Sequence, residues 1–250
     1  MEATTHRIEA GRVIGEAYET YKGHIGPLLG AAVIVLGIAG LVEGLFRATD
    51  SAILGLIGSL IGLAATFLYT GFVVKLVQDV RDGRLDEGVG ALLSAAAPYI
   101  VTLFLAAVVY VIAVGIGLIL LIVPGLILIT LWAVVAPAIV VENRGAIEAF
   151  GRSRELVRGN GWPVFGAIVL ALLIVIAIRA VAAAIGYGIA DDGGLVVMSV
   201  IGSVIASPIF ALVSSILFFD LGGGAGAPTA PATPSPAAPP PPDVPPPPAA

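Results

Sequence analysis

Five long stretches of this chain, residues 25–46, 51–77, 99–141, 162–190 and 195–219, are apolar and almost free of charge. A helix needs about 20 such residues to cross a hydrocarbon core of roughly 30 Å. The pattern makes the chain a multi-pass membrane protein. Hydrophobic residues are 58% of the chain and charged residues 12%, against about 25% charged in a typical soluble domain. A soluble fold could not cover that much apolar surface. The length suits one helical bundle and not a bundle plus a catalytic domain. Cysteine is absent, which excludes a disulfide framework and a thiolate metal site.

The stretch 99–141 is too long for one crossing, and its only ionisable side chains are Tyr99 and Tyr110. Pro124-Gly125 near its middle supplies a turn, because Pro lacks an N–H donor and Gly tolerates unusual dihedrals. The expectation is therefore an all-α fold of six spans, about 25–46, 51–77, 99–122, 125–142, 162–190 and 195–219. Continuous rather than alternating apolar runs argue against a β-barrel.

Orientation follows from Lys and Arg. Arg7, Arg12 and Lys22 precede the first span. Lys75, Arg81 and Arg84 close the second, and Arg144, Arg152, Arg154 and Arg158 lie between the fourth and fifth. Six crossings put all three groups on one side. The other side holds only Arg47, in a connector with Glu43 and Asp50, and the positive-free connector Asp191-Asp192-Gly193-Gly194. Both termini are expected in the cytoplasm of a prokaryotic cell, with the protein in the plasma membrane. The excess of Arg over Lys and the acidic pI fit a GC-rich prokaryote. The acidic, mixed N-terminus shows no cleavable leader, so the first span reads as an uncleaved signal-anchor. Residues 1–24 then form a cytoplasmic amphipathic segment, 25–221 the transmembrane domain and 222–250 a tail. Twelve of the eighteen prolines fall in that tail, a composition that predicts disorder with polyproline character.

The chain also repeats itself at an offset of 136 residues. Gly15, Glu19, Lys22, Gly23 and Pro27 align without gaps with Gly151, Glu155, Arg158, Gly159 and Pro163. The repeated unit reads as a short interfacial helix ending at Gly, followed by a span with Pro in its first turn. Ile147, Phe150 and Val157 form the apolar stripe of one such helix, with Glu148, Arg152 and Glu155 facing away. Ile14, Ala17, Tyr18 and Tyr21 form the stripe of the other. Residues 85–98 read as a degenerate third copy. Three parallel units result, each an interfacial helix and a transmembrane hairpin.

The offset also relates Glu43 to Arg179, each about 26 Å from the cytoplasmic end at 1.5 Å per residue. Intramembrane charges are costly and are usually paired or functional. Two readings stand: an ion pair between Glu43 and Arg179, or separate snorkelling, with Arg179 near Asp191 or Asp192.

Groups that carry chemistry are few. His6 and His24 have no Cys, Asp or Glu at metal-ligand spacing. Ser153 has no histidine base nearby in sequence and reads as a surface hydroxyl. Asp79, Asp82, Asp86 and Glu87 crowd a connector without the calcium-loop pattern and read as a solvated turn. No phosphate loop, dinucleotide fingerprint or nucleic-acid signature is present. Neither a cofactor nor a metal is expected. Arg144, Arg152, Arg154 and Arg158 read as contacts to anionic lipid headgroups, either as general anchors worth about 1 kcal/mol each or as a specific phosphate site between helices. Trp162 reads as an interfacial anchor and Trp132 as a packing residue. Pro137 and Pro208 lie mid-helix and are expected to kink the fourth and sixth spans.

Residues 124–166, with Pro124-Gly125, Trp132, Pro137, Glu142, Ala149, Arg152-Ser153, Leu156, Gly159 and Trp162, resemble the membrane domain associated with glycerophosphoryl diester phosphodiesterases and related prokaryotic membrane proteins. The stretch Gly11 to Pro27 fits the same pattern, and the resemblance spans most of residues 5–220. In fused members of that family hydrolysis belongs to a separate soluble domain, so the resemblance supplies no catalytic residue here. The function expected is non-enzymatic: a membrane scaffold or lipid-interacting accessory protein. The alternative is a transporter or channel for a small molecule or lipid, although the spans offer few polar side chains beyond Glu43, Arg179, Thr66, Thr70, Thr102 and Ser207. An intramembrane enzyme ranks below both. Protein partners and oligomeric state are not legible.

Overall fold

The computed structural model describes residues 8–47, 49, 51–83, 88–188 and 192–224, without the side chains of 47, 192–197 and 199. Arg7, His6, Arg84, Asp86, Glu87, Asp191, the side chains of Arg47 and Asp192, and the tail beyond 224 lie outside it. Among the described residues every regular element is helical: α1 (Ala10–Gly23), α2 (Ile25–Arg47), α3 (Ala52–Asp82), α4 (Val89–Ala96), α5 (Ile100–Leu120), α6 (Ile122–Leu131), α7 (Val135–Glu142), α8 (Ala146–Val157), α9 (Gly161–Gly188) and α10 (Asp192–Asp220). A 3₁₀ turn, Ala97–Tyr99, joins α4 to α5.

Six of these segments are long and apolar enough to cross a membrane: Ile25–Phe46, Ala52–Asp82, Val89–Leu120, Ile122–Glu142, Gly161–Gly188 and Val200–Asp220. Large apolar side chains such as Leu41, Ile53, Leu105, Ile119 and Val181 stand exposed along them. An apolar exterior of this extent requires lipid rather than water as solvent.

Consecutive helices make the most extensive contacts: α2 with α3, α5 with α6, and α9 with α10. The interior forms where α3, α7 and α10 each pack against the other two. Phe72 and Val73 of α3, Ile139 and Val140 of α7, and Leu212 and Leu217 of α10 are fully buried there. The short helices pack on the far members of these pairs: α1 on α10, α4 on α3 and α8 on α7.

Two sequence expectations change at the turn between α5 and α6. The turn is the single extended residue Leu121 (φ −160°, ψ 138°), not Pro124-Gly125. Pro124 sits in the first turn of α6, where its missing N–H costs nothing. Gly125 lies against α5 instead: a Cβ on Gly117 would sit 3.1 Å from the Gly125 Cα. The Pro-Gly pair therefore starts a helix and lets two backbones approach. The third span also begins earlier than expected, at Val89.

The helix starts keep the spacing seen in the sequence. Ala10 and Ala146 open α1 and α8, and Ile25 and Gly161 open α2 and α9, each pair 136 residues apart. Val13 and Ala17 are buried in α1, and Ala149 and Ser153 at the same offset are buried in α8. The buried stripe of α8 is rotated from the one expected. Ala149, Phe150, Ser153, Leu156 and Val157 face inward, and Ile147 is 71% exposed.

Candidate functional site

The fourth span is broken, and Pro137 explains where. Proline has no N–H for the carbonyl four residues back and its ring collides with it, so the Ala133 carbonyl loses its helical partner. Residues 132–134 leave helical geometry and separate α6 from α7. Freed backbone groups in an apolar layer are expensive unless the protein satisfies them. Ser214 Oγ of α10 donates to Ala133 O at 2.6 Å. Ser153 Oγ of α8 donates to Leu131 O at 2.8 Å and accepts from Val134 N at 3.3 Å. Ser153 is fully buried. The expectation of a surface hydroxyl is corrected: the serine bridges both sides of the break. Trp132, within it, packs edge-on to Phe150 of α8 at 4.6 Å between ring centroids.

Pro208 is handled differently. α10 runs through it unbroken, and Ser207 Oγ donates to Val204 O, the carbonyl that Pro208 releases, at 2.8 Å.

At the end of α7 the chain buries a carboxylate. The Glu142 side chain is only 3% exposed. Arg152 of α8 grips it from the side, Nε donating to Oε1 at 3.1 Å and Oε2 at 2.9 Å, and Nη2 to Oε1 at 3.0 Å. Arg144 Nε donates to Oε2 at 2.7 Å. The backbone N–H of Gly224, just past α10, donates to Oε1 at 3.1 Å. The sharp corner that brings Arg144 and α8 back over Glu142 passes through Asn143 in the left-handed region (φ 51°), which Asn tolerates better than most side chains. Hydrogen bonding to the carboxylate raises the Arg152 pKa above its ordinary value. Glu142 thus ties α7, α8 and the exit of α10 together. Residues 222–224, assigned to the tail in the sequence, form part of this knot: Gly222 N and Gly223 N close α10 on Phe219 O and Phe218 O.

The four candidate arginines are divided by this arrangement. Arg144 and Arg152 are held by Glu142. Arg154 and Arg158, one helical turn apart at the end of α8, are exposed, and among the described residues neither meets a carboxylate. Trp162 stands nearby in sequence, 84% exposed at the start of α9.

A second charged cluster joins α1 to α3 and α10. Arg12 Nη2 and Arg81 Nη2 contact Asp220 at 2.7 and 3.2 Å, and Arg81 also meets Glu16 at 2.6 Å. Glu43 and Arg179 lie on different helix pairs. The Glu43 carboxylate rests against α3, where a Cβ on Gly62 would come within 2.7 Å of Oε2. Arg179 lies on α9 beside Gly202 of α10. His24 Nδ1 is 3.0 Å from Thr20 O at the end of α1. Among the described residues no group of three or more His, Asp or Glu is placed to hold a metal ion.

Beside the broken helix lies a cavity of about 280 Å³ between α3, α5, α6–α7, α9 and α10, with walls almost wholly apolar. The class of protein is thus an all-helical, multi-pass membrane protein with a buried Glu–Arg knot at one end and an apolar cavity inside. Compared with known protein families, curated proteins and solved structures, the chain matches none.

Proposed function

We propose that this protein is a non-enzymatic membrane scaffold or accessory protein that holds anionic lipid through Arg154 and Arg158. One observation carries the reading. These two guanidinium groups are exposed and without a carboxylate partner among the described residues, on a helix whose opposite face is locked into the bundle. Cations fixed at a membrane surface attract anionic headgroups by about 1 kcal/mol each, and exposed Trp162 is the type of residue that sits at headgroup level. Arg144 and Arg152 are withdrawn from this role because their charge is spent on Glu142. The reading includes a prokaryotic plasma membrane, cytoplasmic termini, three hairpins each preceded by an interfacial helix, and an ancestral duplication behind the 136-residue offset. The resemblance to phosphodiesterase-associated membrane domains belongs to it too, with the membrane part working without a catalytic domain.

A second reading, movement of a lipid or small molecule, is favoured by the broken fourth span beside a cavity, a form that transporters use. Two of the carbonyls freed at the break are already taken by Ser153 and Ser214, which supports lipid contact over ion coordination.

Reconstitution tests the proposal. In nanodiscs, adding anionic phosphatidylglycerol to neutral phosphatidylcholine is expected to raise the unfolding temperature of the native protein. The raise is expected to disappear in R154Q/R158Q. An equal raise in both proteins contradicts the headgroup role.

A further inference from the structure

We infer that the cavity beside the broken fourth span binds a hydrocarbon chain that carries a carbonyl-type oxygen, with Tyr110 and Trp132 donating to that oxygen. This site is separate from the headgroup contacts proposed above and does not depend on them.

The argument starts from what the cavity can offer a ligand. Irregular backbone at membrane depth is tolerated where it is buried in protein or lines a cavity, and Trp132, Ala133 and Ala136 at the break line this one. Its polar groups divide into two sets. Ser214 Oγ is committed to Ala133 O, and Thr70 Oγ1 to Thr66 O at 2.9 Å. Tyr110 Oη and Trp132 Nε1 are not committed: among the described residues neither hydrogen-bonds to a protein acceptor. Their rings are neighbours, 6.1 Å between centroids. A buried Tyr hydroxyl or Trp N–H usually finds a partner, and two adjacent uncommitted donors call for an acceptor oxygen. A cation has nothing to bind, since the loosened carbonyls Leu131 O and Ala133 O accept from serines.

The remaining wall fixes the rest of the ligand. Ala107, Ile168 and Phe210 are typical of it, and no charged side chain lines the cavity. An apolar pocket with a few convergent polar groups is the usual form of a small-molecule site. At about 280 Å³ it lies just below the roughly 300–1,000 Å³ of such sites. That admits one chain and its carbonyl, not a whole two-chain lipid. Ester lipids and prenylated quinones share this chemistry.

The chain has two tryptophans, so W162F leaves Trp132 as the sole fluorophore. Detergent-solubilised W162F is titrated with phosphatidylcholine carrying brominated acyl chains, which quench a neighbouring indole. Saturable quenching is expected near one equivalent, and displacement by unbrominated ester lipid or by a prenylated quinone identifies the source. Adding A136L, which fills the cavity, is expected to abolish saturation. Adding Y110F, which keeps the ring and its volume, is expected to raise the half-saturation point about threefold to tenfold, as for one lost hydrogen bond. Quenching that never saturates, or that is unchanged by Y110F in a protein of native helicity, overturns the assignment.

Discussion

Helices α1 and α8 begin 136 residues apart and bury matching positions, 13 with 149 and 17 with 153. They are fastened by different means. α1 is held by ion pairs among Arg12, Glu16, Arg81 and Asp220, in which Arg12, Glu16 and Arg81 are about one-third exposed. α8 is held by a carboxylate with almost no exposure and by a buried serine. Solvent screens the first set, so each pair there contributes about 0–1 kcal/mol. The second set has no water to fall back on, and losing one partner leaves a buried charge or a bare backbone group. One helical frame therefore carries two joints, a soft one at α1 and a stiff one at α8.

Substitutions that break the stiff joint are expected to cost most. E142Q leaves Arg144 and Arg152 without their carboxylate and is expected to lower stability by about 3 kcal/mol, read from denaturant unfolding in detergent. S153A is next, at about 2 kcal/mol, because Leu131 O and Val134 N both lose their partner. The reciprocal change at the matching position of α1 sharpens the contrast. A17S places a hydroxyl on a buried face that has no helix break to serve, and is expected to destabilise by about 1 kcal/mol. A gain from A17S would show that the two helices meet equivalent surroundings. Smallest is E16Q, at under about 1 kcal/mol and fading as salt is raised. An E16Q loss equal to that of E142Q would erase the difference between the joints.

The spans were legible because hydropathy adds over twenty residues and needs no tertiary knowledge. The start of each repeated unit was legible for a related reason: Gly23 and Gly159 end short helices, and Pro27 and Pro163 fall in the first turn of long ones. Pro124-Gly125 misled because the same dipeptide that makes a turn also suits a helix start with a close neighbour, and only the packing of Gly117 decides between them. Ser153 looked like a surface residue because its value depends on a helix break twenty residues earlier. Glu142 was missed as a site for a similar reason. The i,i+4 rule assigned Arg152 to Glu148, whereas the fold turns it back to a carboxylate ten residues upstream. The corner at Asn143, a residue that accepts a left-handed backbone directly after Glu142, was the one local signal that pointed to it.

Native mass spectrometry of the gently extracted protein tests the central claim most directly. The account predicts an anionic phospholipid retained by the native chain and by R144Q, and lost from R154Q/R158Q. Retention of an unselective lipid mixture by all three, or of no lipid by any, would contradict a headgroup role for Arg154 and Arg158.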